Sequence, residues 1–467
     1  MNAHSRRNPS VVLAHLWASA GLPADALAYA ALTGADPVLP SSFPVGAAAQ
    51  ASLAAAALAA CELGHARGQA RQTVSLDMRH TAVECTGWFS VDGVVPEAWD
   101  AFSGLYRCAD GWVRIHANFA HHRDGALRLL GLTPGVATRA DAERALLTWR
   151  AVDFEAAAAE RGLVVAACRS FAEWDAHPQA RAVAAMPLFS MERIGDAPPR
   201  ELPALTTDAL PLTGVRVLDL TRILAGPVSG RVLAAYGADV MLVNSPHLPN
   251  IESIANTSRG KRSAHVDLRT DDGRAALTRL LESSHVFVQG YRPGALASLG
   301  FDAQAAAKRR PGIVYVSLCA YGNDGPWRNR RGFDSLVQTA TGFNIAEAEA
   351  EAGGSHTPKP MPMQILDYAT GHLMAFATAA ALRRQTIEGG SWHVQLSLAQ
   401  TAHWLRAMGR VGNGFDVPPV DRTAYLETVP SGFGELCAIR HSVQLSRTPL
   451  RETRPSMPPG SHPPAWS

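Results

Sequence analysis

The stretch GVRVLDLTRILAGPVSGRVLAAYGADVMLVNSP, residues 214–246, decides the fold. Residues 215–220 form a short run of apolar and β-branched side chains, which is typical of a buried strand. A glycine-containing turn follows, then a helical segment to about Tyr236, and the strand pattern returns at 240–243. A strand, a helix and a second strand in this order predict a β-α-β unit with parallel strands.

Two further apolar runs, at 286–288 and 313–318, predict more strands, and helical stretches separate them. Strands that alternate with helices indicate a doubly wound parallel sheet. We therefore expect an α/β protein whose C-terminal half is Rossmann-like.

The first half of the chain differs in pattern. It is rich in alanine at helical spacing, and residues 103–119 alternate around Asp110-Gly111, which predicts a β-hairpin inside a small α+β domain. The proline-rich residues 195–205 predict a linker. We divide the chain into a helical region at 1–90, the small domain and linker at 91–205, and the Rossmann-like domain at 206–467.

Composition excludes several classes of protein. The chain has 467 residues, and 43 Lys and Arg balance 41 Asp and Glu, so no basic excess indicates nucleic acid or an anionic membrane. Six cysteines without a CxxC pair argue against a disulfide framework or a zinc site and fit a reducing cytoplasm. The alanine-rich residues 47–61 are shorter than the roughly 20 residues that span a bilayer, and the polar opening MNAHSRRNPS does not resemble a signal peptide.

The turn of the β-α-β unit raises the question of a nucleotide site. Glycines at such a turn let a phosphate approach the N–H groups at a helix N-terminus. LAGPVSG lacks the GxGxxG pattern, however, and Asn244 stands where an NAD site would place an acid. A dinucleotide site is not expected. In one interpretation, Gly226-Pro227 only starts a helix. In the other, the turn binds a nucleotide-bearing cofactor that differs from NAD.

Two segments of the chain resemble each other. Residues 45–82 and 370–402 each contain a helix, a polar turn with glycine, and an apolar VxL segment that ends in Thr-Ala. Asp367 precedes the second copy, and either Phe43 or Ala47 corresponds to it in the first. We interpret the pair as one intact and one degenerate copy of the same element.

Asp367, in QILDYATGHL, is the carboxylate that this comparison singles out. Taken alone, an Asp at a predicted helix start is most often an N-cap. The alternative is a carboxylate presented to a substrate.

Several phrases in order support that alternative. RGKRSAHVDLRTDDGR, VFVQGYRPGALASLGF, the phrase AYGNDGPW and LDYATGHL follow the opening stretch, and together they resemble the family III CoA-transferases, or CaiB/BaiF family, over residues 211–402. GLYRCADGWVRI and FAEWDAHPQARA resemble the small domain of that family, which normally follows the catalytic segment. Because it precedes that segment here, the chain resembles a rearranged or fused member.

The resemblance implies an activity and a site. Asp367 would be the nucleophile that attacks an acyl-CoA thioester and passes CoA to a free carboxylic acid through a covalent aspartyl intermediate. A helix N-terminus would favour its ionised form. CoA is then a substrate, with no metal and no permanently bound cofactor, and a homodimer is expected unless the two copies mimic a dimer within one chain. The residues that would contact CoA or the acyl group are Ile223, Leu224, Ala225, Arg259, Lys261, Arg262, Arg292, Tyr321 and Gly322.

Two alternatives stay open. The α-methylacyl-CoA racemases share the fold and pair a similar Asp with a His for proton transfer. That His lies in a GHD phrase, whereas this chain reads RGFDSL with Phe333 at the position, and His372 is the remaining candidate partner. The other alternative is a non-catalytic CoA-binding homologue.

Overall fold

The computed structural model describes residues 6–351, 353–354 and 356–466, so the first five residues of the polar opening sequence lie outside the described part. The α-helices are α1 (Pro9–Ser19), α2 (Val45–Ala66), α3 (Met78–Glu84), α4 (Ala120–Leu129), α5 (Arg139–Leu146), α6 (Ala151–Glu160), α7 (Phe171–Ala176), α8 (Pro178–Ala185), α9 (Ala225–Ala235), α10 (Ile254–Thr257), α11 (Asp271–Glu282), α12 (Ala303–Arg309), α13 (Asp334–Ala340), α14 (Phe343–Ala350), α15 (Ile365–Glu388) and α16 (Leu398–Ala407).

The β-strands are β1 (Ala30–Thr33), β2 (Val74–Asp77), β3 (Phe89–Val91), β4 (Gly104–Arg107), β5 (Trp112–Ile115), β6 (Val165–Ala167), β7 (Phe189–Gly195), β8 (Arg216–Leu220), β9 (Asp239–Asn244), β10 (Arg262–His265), β11 (Val286–Gln289), β12 (Val314–Cys319), β13 (Ser391–Ser397), β14 (Leu426–Ser431), β15 (Gly434–Ile439) and β16 (Gln444–Leu445). Short 3-10 helices occupy Ala24–Tyr29, Ala297–Leu299 and Thr423–Tyr425.

A seven-stranded sheet in the order β10-β9-β8-β11-β12-β13-β7 forms the centre of the molecule. The strands from β10 to β13 pair in parallel, and β7 joins the edge antiparallel to β13. The predicted α/β class and the predicted strands after residue 214 are therefore confirmed. Because β9 and β11 lie on opposite sides of β8, the direction of winding reverses beside β8, which is where ligands of such sheets bind.

Strand pairing crosses the three regions predicted from the sequence. Strand β7, which was expected in the small domain and linker region, pairs with β13 of the Rossmann-like region, and only the segment after Gly195 connects without regular structure. Strand β16 pairs with β2, and β15 pairs with β3. These edges join chain segments far apart in sequence, so local composition could not reveal them.

The predicted hairpin is present and belongs to a small domain. Strands β4, β5 and β6 form an antiparallel sheet, and helices α4, α5 and α6 contribute the buried Ala126, Leu146 and Phe154 to its core. The chain leaves β5 toward the Rossmann-like sheet, and this brings His116 and Asn118 to the site described below.

The two resembling segments fold alike and pack together. Helices α2 and α15 lie against each other, and their first residues follow Pro44 and Gln364, whose backbone angles agree closely (φ −78°, ψ 63° and φ −81°, ψ 62°). Ala47 and Asp367 are both the third residue of their helices, so Ala47 is the counterpart of Asp367. Both helices are long and apolar enough to cross a membrane, but those segments are completely buried inside the protein.

Candidate active site

A cavity of about 1000 Å³ opens beside the carboxyl end of β8. Its walls are built by the turn between β8 and α9, the starts of α13 and α15, the chain around β3, the small domain, and the loop before β14. Ligands of open α/β sheets bind outside the carboxyl ends of the strands, so the cavity occupies the position expected for a substrate site.

Asp367 lies in this cavity with 8% of its surface exposed. It is the third residue of α15, and the N-cap residue Gln364 makes no side-chain capping bond. The capping group comes from elsewhere: the Asp367 N–H donates to the carboxylate of Asp334 at 2.9 Å. Asp367 is therefore not a helix cap, and its own side chain faces the cavity.

Asp334 and Asp367 form a buried pair of carboxyl groups. Burial raises the pKa of Asp334 to about 7, although N–H groups of Asp367, Gln338 and Leu366 donate to it. Burial, and then the charge of Asp334, raise the pKa of Asp367 well above its ordinary value. Since Asp334 accepts the N–H bonds, we assign the first negative charge to Asp334 and the proton to Asp367.

This arrangement corrects one expectation. The sequence predicted that the N-terminus of the helix would favour the ionised form of Asp367. Asp334 accepts the Asp367 N–H there instead. Burial and then the charge of Asp334 raise the pKa of Asp367 rather than lower it.

The turn after β8 supplies the apolar wall next to Asp367. Ile223 and Leu224 line the cavity, as predicted. Ile223 has φ 76°, which is a strained conformation for a β-branched residue and indicates that the surrounding packing fixes this turn. Ala225, the third residue predicted here, is buried at the start of α9 and does not line the cavity.

The predicted cluster of basic residues lies elsewhere. Lys261 is fully buried, and its Nζ bonds the Asp219 carboxylate at 2.9 Å and the Pro227 carbonyl at 2.8 Å. Arg259 is also buried and pairs with Glu427 and Glu452. Neither side chain lines the cavity, because each is held by carboxylates inside the fold.

Arg262 and Arg292 do not line the cavity either. Arg262 pairs with Asp239 at 3.1 Å between neighbouring strands. Arg292 is exposed on the loop after β11, and its charge lowers the pKa of Arg331 after the larger effect of burial. Burial, then Arg331 and Arg222, lower the pKa of His121, so cations from both domains lie close together here.

Tyr321 and Gly322 are structural in this protein. Tyr321 is buried, burial raises its pKa to about 12, and its carbonyl accepts a hydrogen bond from Gln179 at 2.8 Å. Gly322 has φ 100°, which favours glycine, and Met186 lies so close that a Cβ would clash with it. The predicted contact of this loop with an acyl group has no counterpart in the lining of the cavity.

Two histidines bear on the racemase alternative. His372, the predicted partner of Asp367, is buried and does not line the cavity, and burial lowers its pKa to about 4. His116, which sequence reasoning missed, does line the cavity, and its ring stacks on Phe333 with 4.1 Å between centroids. The only sequence signal for His116 is its place directly after β5, because its contact with Phe333 joins distant parts of the chain.

Among the residues that the structure describes, no three His, Cys, Asp or Glu side chains cluster in a way that could hold a metal ion.

Comparison with known proteins identifies part of the chain. Residues 212–413 match the family described as CoA-transferase family III. A Mycobacterium tuberculosis protein named "Probable fatty acyl-CoA transferase" is 34% identical over 43% of this chain and 53% of its own length. An acyl-CoA transferase of Gibberella moniliformis is 30% identical over 63% of this chain and 55% of its own length.

A third relative is the succinate–glutarate CoA-transferase of Agrobacterium fabrum, which is 31% identical over 40% of this chain and 51% of its own length. The chain thus spans about half the length of the curated relatives that it matches. The matched region contains Asp367, Ile223 and Leu224, and ends before the strands β14 to β16.

Proposed function

We propose that the protein moves CoA from an acyl-CoA thioester to a free carboxylic acid, with Asp367 as nucleophile. The match of residues 212–413 to CoA-transferase family III supports the proposal. The observation that carries the proposal is the position of Asp367. It combines a nearly buried carboxyl group with a cavity of about 1000 Å³ at the carboxyl end of β8. A carboxylate in such a place can attack a thioester while water is largely excluded.

In the proposed reaction, CoA moves from donor to acceptor through covalent intermediates on Asp367. An oxygen of Asp367 attacks the thioester carbonyl carbon, the C–S bond breaks, and CoA leaves as a thiolate, which gives a mixed anhydride. The thiolate attacks the Asp367 acyl carbon and releases the donor as a carboxylate, so that Asp367 becomes a CoA thioester. The acceptor carboxylate then attacks this thioester, the C–S bond breaks, and CoA leaves again as a thiolate, which gives a second mixed anhydride. The thiolate attacks the acceptor's acyl carbon, which forms the acceptor's CoA thioester and restores the Asp367 carboxylate.

The pair of carboxyl groups sets the reactivity of Asp367. Only its ionised form attacks, and its raised pKa means that this form is more basic than an ordinary carboxylate. Asp334 contributes by fixing the start of α15 through the Asp367 N–H. Asp334 is therefore a positioning residue that also controls the charge of the nucleophile.

We place the phosphates of CoA near Arg222, Arg292 and Arg331, beside the small domain. The effects of these cations on one another and on His121 show that they are neighbours. Phosphates favour such a group of arginines. Calorimetric titration should detect CoA binding, and tight binding of NAD with none of CoA would contradict the assignment.

Covalent labelling tests the nucleophile. The protein incubated with a panel of acyl-CoA thioesters, quenched in acid and digested, should carry an acyl or CoA adduct on the peptide that contains Asp367. Asp367→Asn should form no adduct and lose transfer by about a thousandfold or more, because the amide is a poor nucleophile. Circular dichroism and thermal melting control for folding, and transfer within about tenfold of wild type would refute the assignment.

A further inference from the structure

The imidazole of His116 is held rigidly in the wall of the cavity. Its face stacks on Phe333 at 4.1 Å with 19° between the planes, and Trp99 meets it edge-on at 5.7 Å. Only 5% of the His116 surface is exposed. Two aromatic side chains therefore fix the direction in which its ring nitrogens point.

One of these nitrogens lacks a partner. Nδ1 of His116 is buried and makes no hydrogen bond. Leaving a buried polar atom unpaired destabilises a fold, and such atoms are uncommon in native proteins. Burial, with a further effect of Arg114, lowers the pKa of His116 to about 3, so the ring is neutral and offers one N–H donor and one acceptor.

The side chain of Asn118, in the same wall, already makes hydrogen bonds within the protein. Asn118 also lines the cavity, but its Oδ1 accepts hydrogen bonds from the Asp100 N–H at 3.1 Å and the Ser103 hydroxyl at 2.7 Å. The Asn118 side-chain N–H donates to the Ala98 carbonyl at 2.9 Å. A ligand oxygen on this side of the cavity would therefore meet His116.

The remainder of the wall combines apolar side chains with polar ones such as Thr86, Asn250, Ser253 and Tyr368. Aromatic and aliphatic side chains surround the space, among them Trp88, Phe89, Val95, Met363 and Val417. Apolar walls with a few oriented polar groups are the usual construction of a selective small-molecule site. The apolar walls suit the carbon chain of an acyl group, and His116 suits one oxygen on it.

We propose that His116 binds a hydroxyl group on the acyl chain, and that the protein selects hydroxylated acyl groups over their unsubstituted analogues. A hydroxyl group both donates and accepts, so it can pair with either tautomer of the neutral ring. A site built to hydrogen-bond a hydroxyl group rejects the analogue that lacks it, because the buried nitrogen then stays unpaired. This inference rests on the proposed function, since it assumes that acyl-CoA occupies the cavity.

The test measures binding without turnover. Asp367→Asn protein is titrated calorimetrically with butyryl-CoA and with 2-, 3- and 4-hydroxybutyryl-CoA. Three isomers are used because the hydroxyl group must reach His116 while the thioester lies at residue 367. At least one isomer should bind about tenfold more tightly than butyryl-CoA. In Asp367→Asn/His116→Phe protein the ratio of those two affinities should fall to about one. His403→Phe, which changes a histidine away from the cavity, is the matched control and should preserve the ratio.

The outcomes separate the two proposals. If butyryl-CoA binds but no hydroxylated isomer is preferred, or the preference survives His116→Phe, the inference about His116 is wrong and the proposed function stands. If His116→Phe weakens all four ligands equally, His116 acts on the shared thioester group or on folding, and the selectivity is likewise refuted. If no thioester binds at all, the proposed function fails and the inference with it.

Discussion

At the scale of single residues, Asp334 and Asp367 have different roles at the N-terminus of the same helix. Asp334 caps the helix, and Asp367 faces the cavity. Asp334 takes the N–H groups and therefore the first charge, while Asp367 faces the cavity and keeps its proton to a higher pH. Asp367 can therefore act as a nucleophile only after it loses its proton, which places a second negative charge beside that of Asp334 in a buried site.

Changing Asp334 should move the pH dependence of transfer. In Asp334→Asn the neighbouring charge is gone, so the pKa of Asp367 falls toward its ordinary value, although burial still raises it. We expect the acid limb of kcat/KM against pH to shift to lower pH by about one unit or more. Steady-state rates between about pH 5 and about pH 10 check this, because the wild-type limb belongs to a group that loses its proton after Asp334. The plateau should drop because Asp367 is held less firmly.

A misfolded fraction of the variant would lower the plateau of kcat/KM but would not change the pH at which the acid limb lies. A shift of the limb therefore reports on the pKa of Asp367. Asp334→Ala gives a second neutral variant and should shift the limb in the same direction. A limb that stays in place, or moves to higher pH, would show that Asp334 does not control the charge of Asp367.

The residues of the site were predictable only in part, and the reason is physical. The resemblance of the phrases around Asp367, Ile223 and Leu224 to a known family singled them out, and all three line the cavity. Lys261 and Arg259 are cations whose role depends on Asp219 and Glu452, and no local pattern shows that these carboxylates bind them. His116 was missed for the same reason, since its stacking partner belongs to another domain.

At the scale of elements, helices α2 and α15 begin in the same way. In each, a carboxylate from an earlier segment accepts the N–H of the third residue: Asp36 binds Ala47 at 2.8 Å, and Asp334 binds Asp367 at 2.9 Å. Asp36 also binds the Gly46 N–H at 3.0 Å. The resemblance of the two segments was visible in the sequence, but the register between Ala47 and Asp367 became clear only when the shared cap was seen.

The cap of α2 should make stability depend on pH. Burial raises the pKa of Asp36 to about 6 from an unfolded value of 3.8, against the opposite effect of the two N–H bonds. Between these values the native state holds a proton that the unfolded state has lost, so the contribution of Asp36 to stability is present at low pH and decreases as pH rises through about 6. Asp36→Asn has no such titration.

We therefore expect the free energy of unfolding of wild type, relative to Asp36→Asn, to decrease by about 2 kcal/mol between pH 4.5 and 7.5. Urea unfolding of both proteins at several pH values measures this difference. Asp36→Ala removes both acceptors and should be about 1 kcal/mol less stable than Asp36→Asn at every pH. A difference between wild type and Asp36→Asn that does not change with pH would contradict the assignment.

At the scale of the whole molecule, one chain supplies every described wall of the cavity. The small domain and the chain around β3 come from the first half, and the turn after β8 and the start of α15 come from the second. The small domain precedes the Rossmann-like sheet along the chain, and both contribute residues to the same cavity. A homodimer stays a prediction, and the packing of α2 on α15 supports the alternative that the two halves of one chain mimic such a pair.

The number of nucleophiles per chain follows from the comparison of helices α2 and α15. Ala47 has no carboxylate at the position of Asp367, so each 49.6 kDa chain should accept one acyl or CoA group and no more. Intact-mass spectrometry after saturation with acyl-CoA measures this number. If the two halves of one chain mimic a dimer, the rate per chain should also stay constant on dilution to nanomolar concentration. Two adducts, or a rate that falls on dilution, would be inconsistent with a site complete in one chain.

The edge of the central sheet has a consequence for synthesis of the protein. Strand β7 ends at Gly195, and its partner β13 begins only at Ser391. At typical rates of translation the ribosome needs roughly 10–40 s to make the chain between them. During that time β7 exposes unpaired N–H and C=O groups that other nascent chains could bind. Recovery of this protein in a host cell should therefore depend on how fast it is translated and on chaperones that shield β7 until β13 emerges.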